Sequence, residues 1–218
     1  FEKMALPTII YRYATIDDSA ALNTKLLAGW NDPFGGATAW HFWHKDAVLN
    51  RNNSDIPLIA VTEATGEIVG SCFGRIREWN YGLVASGPYT LLDKEQQIVD
   101  WTSYSLQEQK DILAFMTQWE RCYEFGASKA GPAITEGRRY IHVRQMHVAD
   151  GYRNSGIGSA LIEKMLEEAR TRDLSVQLES WGRGKDFYKK HGAMPGPAVR
   201  LLEFDGSLGG EQTIMVWN

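Results

Sequence analysis

The alternation of apolar and polar positions divides the chain into short strands and amphipathic helices. Residues 8–13 (T-I-I-Y-R-Y) have the β-branched and aromatic density of a strand. Asp17 and Asp18 stand where a helix N-cap is expected, ahead of Leu22, Leu26, Leu27 and Trp30 at the spacing of one helical face. Asn31-Asp32-Pro33 ends that helix. A second is expected over about 39–49, after Gly35-Gly36. Residues 57–62 and 68–79 read as two strands joined by a turn through Thr65-Gly66. The stretch 80–138 is less regular. Within it Ile112, Phe115, Met116, Trp119 and Tyr123 recur at helical spacing, which predicts a helical insertion. Alternation resumes at 140–148, a strand. A helix over about 156–171 follows, expected to bury Ile157, Leu161, Ile162, Met165, Leu166 and Ala169. Residues 175–179 form a strand, 185–191 a short helix closed by Gly192, and 199–204 and 212–217 two more strands. This irregular mixture predicts one α/β domain over 1–218.

Composition narrows the class. Of 218 residues, 44% are hydrophobic and 23% charged, a globular balance large enough to bury a core without a disulfide or metal staple. The net charge of -4 argues against a dedicated nucleic-acid binder, though not against a local anion site. Cys72 and Cys122 are the only cysteines, which fits a reducing compartment. No apolar run approaches the roughly 20 residues of a membrane span, and the N-terminal residues lack a signal-peptide apolar region. The expectation is a cytoplasmic protein with no membrane or nucleic-acid partner, a monomer or a homodimer. His41 and His44 have no ligand partners at useful spacing, so no metal is expected.

The informative stretch is His147–Gly158, H-V-A-D-G-Y-R-N-S-G-I-G, where a strand feeds a helix through glycines. Such a junction aims unpaired backbone N–H groups and the positive end of a helix dipole at one point. Gly156 and Gly158 would let an anion approach the backbone, and Arg153 adds forked donors. A diphosphate-containing ligand is predicted. A Walker loop is excluded because Gly158-Ser159-Ala160 lacks the lysine, and a dinucleotide fingerprint because position 161 is Leu161.

The run Arg153-Asn154-Ser155-Gly156-Ile157-Gly158 resembles motif A of the GCN5-related N-acetyltransferase (GNAT) superfamily, with Met146 and Val148 at the strand end and Ser159, Leu161 and Ile162 in the helix. Downstream, Gly184 to Ala193 (G-K-D-F-Y-K-K-H-G-A) resembles that family's motif B, in the right order and at the right separation. Asp150 and Ala193 depart from the common residues at positions without a chemical role. The resemblance implies a mixed, partly splayed β-sheet flanked by helices on both faces, and a helical insertion about 80–138.

It further implies transfer of an acetyl group from acetyl-CoA to a primary amine in a ternary complex. The loop Met146, His147, Val148, Arg153, Asn154, Ser155, Gly156, Ile157, Gly158 and Ser159 would hold the coenzyme. Tyr188 would protonate the departing thiolate. His142 would deprotonate the incoming ammonium, an imidazole being suited to that task near neutral pH. Glu78 is the alternative base. Strict alternation puts His147 on the opposite face from His142, and a bulge would reverse this. The resemblance implies that the first two helices wall the acceptor pocket, with Trp30 and Phe34 beside Asp32, which would hold a cationic amine. A small-molecule amine is the expected acceptor. A protein lysine or N-terminus, and a non-catalytic acyl-CoA-binding module, are the alternatives.

Overall fold

The computed structural model describes residues 7–26, 55–77, 105–107, 110, 139–202 and 208–218. The expected helices over 39–49 and 112–123 fall outside them, as do Trp30, Asp32, Phe34 and Glu78. The elements are β1 (Ile9–Tyr13), a 3-10 turn (Ile16–Asp18), α1 (Ser19–Leu26), β2 (Asp55–Thr62), β3 (Ile68–Arg77) and β4 (Tyr140–Val148). A second 3-10 turn (Asp150–Tyr152), α2 (Ile157–Thr171), β5 (Ser175–Ser180), α3 (Gly184–Lys190), β6 (Met194–Leu202) and β7 (Leu208–Trp217) follow. The strands make one sheet in the order β1-β2-β3-β4-β5-β7-β6. Every pairing is antiparallel except β4 with β5, the two strands that α2 connects. Among the described residues no helix is long and apolar enough to cross a membrane.

Two local details differ from the sequence expectation. The cap before α1 is Thr15, and Asp18 sits three residues inside, its carboxylate accepting from the Thr15 N–H at 2.6 Å. Arg12 of β1 clamps the same carboxylate through both terminal guanidinium nitrogens, at 2.7 and 2.8 Å, tying the turn to the sheet. β6 begins at Met194, five residues earlier than the apolar run suggests. Pro195 and Pro197 mask it as a strand, yet β6 is an edge strand, where a missing N–H costs no inner ladder bond.

The core forms where α2 lies across β2, β3 and β4. Ile157, Leu161, Ile162, Met165 and Ala169 are buried along one helical stripe, while Leu166 is half-buried at its margin. Beneath them β3 presents Gly70, Cys72 and Gly74. A Cβ at Gly70 would stand 3.0 Å from Ile157 Cγ2, and one at Gly74 would stand 2.7 Å from Ile141 Cγ2 and 2.9 Å from Met165 Sδ. The small residues of β3 set how closely the helix approaches.

β4 carries a bulge. Gln145 pairs with Phe73 and Val143 with Gly74, so Arg144 is an extra residue on β4. Ile141, Val143, Met146 and Val148 consequently all face α2, opposite Ile76, Gly74, Cys72 and Gly70. His142 and His147, opposite Arg75 and Ser71, share the other face. The strict alternation expected for His147 is reversed by that one inserted residue.

Gly74→Ala should destabilise the fold by about 1–3 kcal/mol, because Ile141 has no flexible end to swing aside. A lower urea midpoint at unchanged slope would register it. Gly151→Ala, whose added Cβ meets nothing within 4 Å, should be neutral or stabilising by about 0.4–1 kcal/mol.

Candidate active site

β4 and β5 pair over only three residues, Tyr140–His142 against Ser175–Gln177, although both strands continue beyond. Past His142 they part, opening a wedge with the C-terminal half of β4 on one side and α3 on the other. The first turn of α2 stands at the mouth of this wedge.

The loop before α2 is shaped by two left-handed residues, Asn154 (φ 63°) and Gly156 (φ 87°). Gly156 is the N-cap, makes no side-chain cap, and no acidic residue occupies the first turn of α2. The N–H groups of that turn thus lack the usual carboxylate or hydroxyl at the cap, and the positive end of the helix dipole faces outward. Ser155 Oγ instead donates to the Tyr152 carbonyl, bracing the loop from within. Arg153 pairs with Asp150 at 2.7 Å, both well exposed, an interaction worth at most about 1 kcal/mol that an anion can displace.

The two glycines have different reasons. A Cβ at Gly156 would meet nothing within 4 Å, so its backbone angle explains the glycine. A Cβ at Gly158 would stand 3.2 Å from Met146 Cε and 3.6 Å from Phe187, pointing into the protein. Gly158 therefore lets the helix start close to β4 and α3. It does not clear space for a ligand in the way the sequence suggested.

Inside the wedge, the Tyr188 hydroxyl reaches from α3 to within 3.7 Å of Met146 Sδ on β4. Its ring is set edge-on to Phe187 and Trp217. Burial, with a lesser contribution from Cys72, pushes the phenol above its ordinary range, so it holds its proton. Burial also pushes the Cys72 thiol up to about 12, which leaves it unionised and a poor nucleophile at neutral pH. On the opposite face of β4, His142 Nε2 lies 2.8 Å from Glu179 Oε2 of β5, with both side chains less than a tenth exposed. Burial works to raise the Glu179 carboxyl, but His142, together with hydrogen bonds from the Glu179 backbone N–H and the Gln177 side chain, holds the group below its ordinary range. Sequence reasoning missed Glu179. Its only signal was its place on the strand parallel to that of His142. His147, higher on the same face, is held below the ordinary imidazole range by burial and then by Arg153, against Asp150.

The structure thus brings Met146, Tyr188, Gly158 and Ser159 to the wedge and its mouth, and sets His142 at the root, where the strands still pair. Among the described residues no group of His, Cys, Asp or Glu could hold a metal ion.

Residues 105–192 match the family model described as acetyltransferase (GNAT) domain. No curated protein sequence matches. The fold resembles a polyamine N-acetyltransferase of Drosophila melanogaster that forms N-acetylagmatine (15% identity, TM-score 0.59, covering 97% of this chain and 100% of that one). It also resembles a mosquito arylalkylamine N-acetyltransferase-like protein (12% identity, TM-score 0.58, 96% and 99%). The Arabidopsis thaliana protein NAA60 in complex with acetyl-CoA is similar to the same degree (12% identity, TM-score 0.58, 96% and 99%). Residues 105–192 thus carry the match to a GNAT acetyltransferase domain, and the seven-stranded sheet with its parallel β4–β5 pair has the fold of these N-acetyltransferase structures.

Proposed function

We propose that the protein transfers the acetyl group of acetyl-CoA to the primary amine of a small molecule. One observation carries this reading: the uncapped start of α2 stands at the mouth of the same wedge into which the Tyr188 hydroxyl projects. A ligand with an anionic diphosphate at one end and a thioester at the other fits both. The acceptor class is supported by the similar fold named for forming N-acetylagmatine, the acetyl derivative of a small amine.

Arg153 and the N–H groups of Ile157, Gly158 and Ser159 grip the diphosphate, and the backbone from Met146 to Val148 holds the thioester arm and polarises its carbonyl. An ammonium cannot attack, so one proton must leave first. The His142 imidazole, held through Nε2 against the ionised Glu179, takes that proton. His142 is 4% exposed, and the proton reaches it by relay through water. The amine nitrogen then bonds to the acetyl carbon and the carbon–sulfur bond breaks. Tyr188 gives its proton to the sulfur and regains one from the product nitrogen. The sum is an acetamide, free coenzyme A and one proton released.

Acetyl-CoA should raise the melting temperature, since at about 100-fold excess over Kd a ligand of the folded state adds roughly 2.7 kcal/mol. Gly156→Val cannot comfortably hold the left-handed angle that shapes the cradle, and it sets a branched side chain at the mouth, so it should abolish the shift. An undiminished shift in a folded variant would take the diphosphate away from this loop.

Tyr188→Phe should keep acetyl-CoA binding and lower kcat by about 10²–10⁴-fold. Unchanged turnover with a small amine would mean that solvent protonates the sulfur.

Glu179→Gln removes the negative charge that favours the imidazolium of His142. The acidic limb of kcat/KM should move to lower pH, and it should vanish in His142→Ala. A limb that stays in place in both variants belongs to another group.

A further inference from the structure

Ser159, in the first turn of α2, is tied to a histidine from the other motif. Its Oγ lies 3.0 Å from His191 Nε2 at the C-terminal cap of α3. The second ring nitrogen, Nδ1, lies 3.0 Å from Glu163 Oε1, one turn further along α2. The ring packs 4.8 Å from Phe187, and the His191 carbonyl accepts from the Trp217 indole N–H at 2.7 Å, so α2, α3 and β7 together hold it in place.

The donor inventory gives this chain two states. An ionised carboxylate only accepts, so Nδ1 carries hydrogen whatever the charge of the ring. In the neutral imidazole, Nε2 has a lone pair and takes the Ser159 hydroxyl hydrogen. In the imidazolium, Nε2–H donates to Oγ, and the Ser159 hydrogen must turn to another acceptor.

We infer that His191 is a positioning residue for the coenzyme's diphosphate: when its ring is protonated, Ser159 donates to a phosphate oxygen at the start of α2, and when neutral, Ser159 donates back to His191. The inference rests on the reading of residues 153–159 as the diphosphate cradle. Charges around the ring act in both directions. Glu163 on α2 favours the imidazolium, as do the terminal carbonyls of α3, while Lys189 and Lys190 in the last turn of α3 oppose it. Trp217 of β7 is uncharged, and the chain into β6 brings no titratable group before Arg200. Protonation and diphosphate binding thus favour one another, and the coupling is reciprocal.

The test uses dephospho-CoA, which lacks the titrating 3′-phosphate and keeps a fully ionised diphosphate. Its Kd, measured by calorimetry from about pH 5.5 to about 8.5, then reports protein ionisations alone. The wild-type Kd should rise about tenfold across this range, the scale of one hydrogen bond to a charged group. Ser159→Ala and His191→Phe should both lose most of that slope, and Ser159→Ala, which has no hydroxyl to donate, should bind at all pH values about as weakly as wild type does at high pH. A flat wild-type profile, or a slope undiminished in either variant, overturns the inference while leaving the cradle intact. No binding of dephospho-CoA or CoA at any pH overturns the cradle and the inference with it. Should His191→Phe fail to fold, the wild-type His191 imidazole followed by NMR decides alongside Ser159→Ala. Its titration midpoint should move to higher pH on saturation with dephospho-CoA, and an unmoved midpoint counts against the proposal.

Discussion

The separation of β4 from β5 after His142 and Gln177 is the constraint on which the candidate site depends. Each ladder bond given up forfeits a net 0.5–1.5 kcal/mol, about the scale of other hydrogen bonds, and leaves backbone groups that need another partner. Two features mark the stretch of β4 beyond that point. The extra residue at Arg144 changes the face each later residue of β4 presents, and α3 sends Tyr188 across to Met146. The sheet remains continuous at the root of the wedge, where His142 and Glu179 form a buried hydrogen-bonded pair between the parting strands. Such a pair stabilises little in itself, because desolvation offsets the attraction, but removing one partner leaves a buried charge or dipole exposed to nothing.

The second constraint is close packing at the start of α2. Gly158 admits Met146 from β4 and Phe187 from α3 to the same small volume, and His191 reaches Ser159 one residue on. The two motifs are far apart in the chain, yet one packed unit holds both. The indole of Trp217 completes it by binding the His191 carbonyl at the helix end. On the proposed reading, the end of the coenzyme that carries charge and the end that reacts are both registered against this unit. A change in α3 would then be felt at the diphosphate as well as at the sulfur.

Much of this was legible in the chain. Local periodicity located β1 to β5, α2 and α3 closely, because each buries one face and its apolar spacing repeats. The candidate loop 153–158 was marked by Arg153 and its glycines, and Tyr188 by the motif-like run around it, since both lie in short contiguous stretches. Long-range relations were invisible. Nothing local to β4 marks Arg144 as the extra residue, for its register is set by pairing with β3. Glu179 is an ordinary acidic residue until β5 is laid parallel to β4 and brings it to His142. Pro195 and Pro197 hid β6, whose edge position is a property of the sheet.

The sequence alone therefore determined the element types, the uncapped glycine turn ahead of α2 and the side chains available for chemistry. These depend on backbone preferences and on hydrophobic spacing over a few residues. Tertiary structure decided which side chains meet. It put His142 and His147 on one face, paired the former with Glu179, and joined Ser159 to His191. Pairings of that kind depend on strand register and helix packing, which are settled by contacts between distant segments and leave no periodic trace in either one.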